Sequence, residues 1–96
     1  MLEVEYGTQF KRDYKRCKKK RLPLSMLHEV IRLIAADTEE SRDELRRRHN
    51  MHILQGEWKG RHECHVANIG DWLIIWSSND TTAFFERTGT HDELFR

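Results

Sequence analysis

Proline occurs once, at Pro23, and cysteine twice, at Cys17 and Cys64, in this chain of 96 residues. Two cysteines in separate elements make no disulfide framework, so a reducing cytoplasm is the expected setting. No internal repeat is present, and no low-complexity tract beyond one basic run. Hydrophobic runs are short. The longest, Trp72 to Trp76, has the length of a strand and falls far below the roughly 18 apolar residues of a membrane span. The opening "MLEVEY" carries two acids and no base ahead of an apolar run, unlike a signal peptide. A single domain over residues 1–96 is expected, burying roughly 60–70% of its extended-chain surface in one modest core.

Net charge is also scarce, at +1, but the balance hides an asymmetry. Residues 1–50 hold 13 Lys and Arg against 9 Asp and Glu, whereas residues 51–96 hold 4 against 7. The densest block, "KRDYKRCKKKR" from Lys11 to Arg21, has eight bases and one acid, and "RRR" follows at Arg46 to Arg48. Such blocks suit nucleic-acid phosphates, an acidic protein partner, or simple solvation of a helix face.

Periodicity supplies the elements. In "LEVEY", Leu2, Val4 and Tyr6 alternate as in a half-buried strand. Phe10, Tyr14 and Cys17 recur at helical spacing, so a helix is predicted from Thr8 to Lys20 with Thr8 near its N-cap. After Pro23, Leu27, Val30, Ile31 and Ile34 predict a second helix over Leu24 to Ala36. "DTEESRDELRRRHN" shows no apolar stripe beyond Leu45 and reads as a connector with at most a helical turn. The period then switches to two. "RHECHVA", "DWLIIWS" and "TTAFFERTG", joined at "NIGD" and "SND", predict an antiparallel meander, with the doubly apolar Trp72 to Trp76 as its central strand. "THDELF" closes the chain as a short turn capped by Thr90. The expected fold is α+β in the order β-α-α-β-β-β, a small antiparallel sheet with two N-terminal helices on one face and the other face partly open.

Three of the six histidines lie in "HILQGEWKGRHECHV", residues 52–66. His49 with His52, and His62 with His65, have the H-x2-H spacing of zinc ligands. Positions three apart in a strand face opposite sides, however, so His62 and His65 do not share an ion and no metal site is expected. The same alternation puts His62, Cys64 and Val66 toward the helices and Arg61, Glu63 and His65 on the open face. His28, His49 and His62 read as structural. Imidazole both takes and gives a proton near neutrality. RNA brings its own nucleophile, the 2′-hydroxyl. Several histidines with an Arg or Lys therefore supply the base, the acid and the cation that metal-free RNA cleavage requires.

"HILQGEWKGRHECHV", "DWLIIW" and "FERTGTHDELF" together resemble the YafQ branch of the RelE/ParE superfamily of bacterial toxins, almost continuously over residues 52–95. The resemblance implies a RelE-like fold and a type II toxin that enters the ribosomal A site and cuts mRNA without cofactor or metal, leaving a 2′,3′-cyclic phosphate. The family's catalytic positions match His52, His65, Asp71 and His91. Asp71 would orient or charge a neighbouring imidazole, and His91 would serve as general acid or base. Trp72 and Phe95 match the family's RNA-contacting aromatics, with Phe95 stacking on a base. Lys59 and Arg87 are candidate phosphate contacts. Lys11, Lys15, Lys18, Lys19 and Arg21 would hold rRNA or receive an acidic segment of a cognate antitoxin. The implied partners are thus an antitoxin, the ribosome and mRNA, with no membrane. The alternative within the family is an inactive member that binds antitoxin as a co-repressor. Gyrase poisoning, known of ParE-type relatives, does not fit the His/Asp set.

Overall fold

The computed structural model describes residues 1–67 and 70–95. Five strands form one sheet: β1 (Glu3–Tyr6), β2 (His52–Ile53), β3 (His62–His65), β4 (Leu73–Ser78) and β5 (Thr82–Gly89), in the spatial order β1-β5-β4-β3-β2. The helices are α1 (Thr8–Lys19), α2 (Leu24–Ala36), α3 (Glu39–His49) and α4 (His91–Leu94). This is the expected α+β arrangement of N-terminal helices on a largely antiparallel sheet. The meander β3-β4-β5 is antiparallel with β4 at its centre. The first strand adds to the far side of β5 in parallel. The anticipated turn "NIGD" includes Asn68 and Ile69, which lie outside the described residues.

Alternation along the strands builds two cores. Cys64, Val66, Trp72, Ile74, Trp76, Ala83 and Phe85 face the helices, where they meet Phe10, Leu27, Val30, Ile31, Ile34 and Leu45. Leu73 and Ile75 point the other way and are covered by Leu94, Leu54 and Trp58. The face expected to be partly open is therefore capped at one end by α4 and by the short 3-10 turn Gly56–Trp58. Leu94 is only 4% exposed; burying a leucine this far contributes about 1.5–3 kcal/mol. That burial fixes the chain's last turn against the sheet.

The segment expected to be a connector is instead the 11-residue helix α3. Its signal is not an apolar stripe, since only Ser41 and Leu45 are buried. It lies in the ends. Thr38 and Ser41 form a reciprocal capping box, Glu39 and Glu40 occupy the first turn, and Arg46, Arg47, Arg48 and His49 occupy the last. Each set of charges opposes the nearby end of the helix dipole. The cap of α1 also differs from expectation: Thr8 is the first helical residue and Gly7 occupies the cap position without a side-chain bond. Among the described residues, no helix is long and apolar enough to cross a membrane.

His62 stacks on Trp76, with ring centroids 5.4 Å apart and planes 18° apart. Burial holds its imidazole below the ordinary value of 6.5. The unfolded chain therefore binds a proton at a pH where folded His62 remains neutral, and stability falls as pH drops below about 6.5. Urea unfolding at pH 7.5 and 5.5 should show this loss, and His62→Phe should reduce it. An equal pH dependence in the variant would remove His62 as its source.

Candidate active site

Asp71, just before β4, and His91, at the start of α4, meet although they are 20 residues apart. The Asp71 carboxylate accepts the His91 backbone N–H at 3.1 Å on both oxygens and the ring Nδ1 at 2.5 Å. A carboxylate only accepts, so the proton sits on Nδ1 and Nε2 is left for another partner. The His91 side chain is 55% exposed. The His65 ring lies edge-on to it, 6.3 Å between centroids, and the exposed Phe95 ring lies 6.1 Å from it. The strand pleat puts His65 here and His62 on the opposite face, as the alternation predicts. The backbone carbonyl of His65 accepts Nδ1–H from His49 at 2.8 Å, which ties β3 to α3 and gives His49 a structural role.

His52 enters from β2. Its register partner is Glu63, and its Nε2 lies 3.2 Å from Glu63 Oε1. Its Nδ1 donates to the carbonyl of Asn50 at 2.9 Å. The Nε2 contact is at ion-pair distance and brings the His52 ring against the buried Glu63 carboxylate. Glu63 is 3% exposed, and its Oε2 has no hydrogen-bond partner among the described residues. It lies two positions from His65 on the same face of β3. Its place on that face was legible from the alternation of Arg61, Glu63 and His65. Its pairing with His52 was not, because a two-residue β2 carries no periodic signal.

The remaining expected site residues divide. Trp72 does not reach the site. It is 3% exposed on the helix side, and its Nε1–H donates to Thr88 Oγ1 at 3.0 Å. It lies just ahead of β4 and packs into the helix-side core. Lys59 is exposed directly after the 3-10 turn. Arg87 binds the buried Asp13 through Nε at 2.7 Å and Nη2 at 3.3 Å. Lys11, Lys15, Lys18 and Lys19 are exposed on α1 and form no ion pair among the described residues.

Asp13 was not foreseen as a site support. It lies three residues after Phe10 and four before Cys17, so it shares their buried stripe, and it is 0% exposed. Besides Arg87, its carboxylate accepts Gln9 Nε2 at 3.2 Å, Arg16 Nη2 at 3.0 Å and the Thr88 backbone N–H at 3.1 Å. One carboxylate thus joins α1 to the end of β5 that leads into His91. The lone acid in a basic block was the available signal.

Away from these residues, Tyr6, Phe10, Tyr14 and Ile31 line a cleft of about 360 Å³ with Lys11 and Lys15 beside it. Tyr14 OH and His28 Nε2 are 2.9 Å apart at its wall.

A sequence profile described as "Bacterial toxin of type II toxin-antitoxin system, YafQ" matches residues 2–96. The mRNA interferase toxin YafQ of Escherichia coli strain K12 is 34% identical over 93 residues, covering 97% of this chain and 95% of that protein. The crystal structure of YafQ from E. coli strain BL21(DE3) superposes with a TM-score of 0.86 at 32% identity, over 100% of both chains. YafQ in the E. coli DinJ-YafQ toxin-antitoxin complex gives 0.83 at 34% identity, covering 99% of this chain and 98% of that one.

Removing one partner of a buried ion pair strands the other. Asp13→Ala should lower the free energy of unfolding by about 3–5 kcal/mol, read as a lower urea midpoint. A loss below about 1 kcal/mol, the scale of an exposed pair, would show that Asp13 does not join α1 to β5.

Proposed function

Because the chain belongs to the YafQ family of bacterial type II toxins, we propose that it is a ribosome-dependent endoribonuclease that cuts mRNA in the A site. The carrying observation is the exposed Asp71–His91 pair with His65 edge-on and Phe95 beside it. Two imidazoles this close together can both reach one phosphodiester bound over them. Cleavage begins when a base takes the 2′-hydroxyl proton and the oxygen attacks phosphorus. The P–O5′ bond breaks, the leaving 5′-oxygen takes a proton from an acid, and a 2′,3′-cyclic phosphate remains.

Asp71 keeps His91 in the tautomer whose Nε2 faces outward, so His91 is a proton-transfer group in this reaction. His65 is the second. His52, with its Nε2 beside the Glu63 carboxylate, is the group that stabilises phosphorane charge. Phe95 stacks on a nucleobase, a contact worth roughly 1–3 kcal/mol. Lys59 and the Nη1 of Arg87, the guanidinium nitrogen that does not bond Asp13, are the phosphate contacts. Lys11, Lys15, Lys18, Lys19 and Arg21 bind rRNA, which makes association fall steeply with salt.

The partner that restrains this activity is a cognate antitoxin, as in the DinJ-YafQ complex of the E. coli relative. An acidic antitoxin segment with apolar anchors matches the cleft of Tyr6, Phe10, Tyr14 and Ile31 flanked by Lys11 and Lys15. An inactive co-repressor would need the same surface but not the paired Asp71 and His91.

Each well-placed proton-transfer group contributes about 10²- to 10⁴-fold in rate. His91→Ala and His65→Ala should each slow cleavage of ribosome-bound mRNA by that order and relieve growth arrest on expression. Variants as toxic as the parent would exclude the catalytic assignment, and a non-toxic parent would favour the co-repressor reading.

A further inference from the structure

The helix that presents His91 and Phe95 has four residues, too few to hold itself together in water. Its third residue, Glu93, is outside the motif positions discussed above. Both of its carboxylate oxygens are engaged. Oε1 accepts the Thr90 backbone N–H at 2.8 Å, and Thr90 Oγ1 accepts the Glu93 N–H at 3.1 Å, which closes a capping box. Oε2 lies 2.8 Å from Arg16 Nε and 3.0 Å from Lys20 Nζ, both contributed by the end of α1. The Arg16 contact is an ion pair rather than an aligned hydrogen bond. Arg16 is itself fixed, since its Nη2 donates to Asp13 and approaches the Thr88 carbonyl at 3.4 Å.

Gly89 bears independently on this junction. A Cβ there would lie 2.7 Å from Glu93 Oε1 and 3.0 Å from Arg16 Nη2. Only glycine lets the arginine and the glutamate close over the backbone at this point. Burial pushes the Glu93 carboxyl up, but the Thr90 N–H, Lys20 and Arg16 outweigh it and hold it below the ordinary value of 4.5. Glu93 is thus an anion wherever the toxin works.

We propose that Glu93, gripped by Arg16 and Lys20 over Gly89, is a positioning residue that sets where His91 and Phe95 stand relative to His65. Two cations of the basic block are therefore committed to the site and are not part of the rRNA-facing surface. The inference rests on the cleavage reading for its kinetic consequence but not for its geometry. Small displacements of a reacting group carry large kinetic costs, whereas substrate docking by the outer lysines is untouched.

The test uses the full chain with programmed ribosomes, comparing the parent with Glu93→Gln, Lys20→Met and the double variant. Glu93→Gln retains an oxygen for the capping box but loses the charge. It should slow the cleavage step about ten- to a hundredfold while the half-saturating ribosome concentration changes less than about twofold. The double variant should be no slower than Glu93→Gln alone, because both remove the same contact. In the free toxin, the His91 Hε1 and Phe95 ring resonances should move in both single variants while those of His62 and Trp76 stay put. Parental rates with unmoved His91 resonances would overturn the proposal. So would a rise in half-saturating concentration with an unchanged cleavage step. If the parent cuts no RNA, the cleavage reading falls and the His91 resonances decide the positioning alone: moved supports it, unmoved overturns it.

Discussion

The bond between Asp71 and His91 is the constraint on which the rest of the site depends. It joins the entry of the central strand to the last helix, using the backbone N–H and the ring of one residue together. The backbone contact caps a helix that could not persist alone, and the ring contact sets the tautomer. Burial of Leu94 on Leu73 and Ile75 then fixes the helix to the sheet. An apolar contact thus supplies the hold, and a charged hydrogen bond supplies the direction in which the imidazole points.

The basic block on α1 has two faces with different tasks. Phe10, Asp13 and Cys17 are buried, and Asp13 draws Arg16, Arg87 and the Thr88 amide together. Lys11, Lys15, Lys18 and Lys19 stay in solvent. A helix that reads as a uniform cationic surface therefore also braces the strand leading to His91. The cost of burying a carboxylate here is offset by the number and closeness of its donors.

Much of the architecture was legible because the chemistry is local. Alternation in "RHECHVA" and "DWLIIWS" gave the facing of His62, Cys64, His65 and the central strand, since a pleat leaves no choice of side. The helical spacing of Phe10, Tyr14 and Cys17, and of Leu27, Val30, Ile31 and Ile34, gave α1 and α2. Helix α3 was missed because its stability comes from its caps and charge order rather than from an apolar stripe. The parallel placement of β1 beside β5 depends on a long-range pairing that no local pattern encodes.

The site was legible in its residue types but less so in its connections. His65 and Asp71 both meet His91, whereas His52 pairs with Glu63, a residue of the same strand face as His65 that carried no assigned role. Trp72 was expected at the surface beside Asp71, but its ring packs into the helix-side core while Asp71 is exposed. Asp13 and Glu93 each act across more than 70 residues of sequence, a separation at which spacing says nothing.

Asp71 fixes the proton of His91 on Nδ1 and leaves Nε2 free, the arrangement that the proposed cleavage requires. Long-range proton–nitrogen correlation spectra of the neutral His91 ring report which nitrogen bears the hydrogen. A hydrogen on Nδ1 that shifts to mixed occupancy in Asp71→Asn is the expected result. A hydrogen on Nε2 in the parent chain would contradict the account.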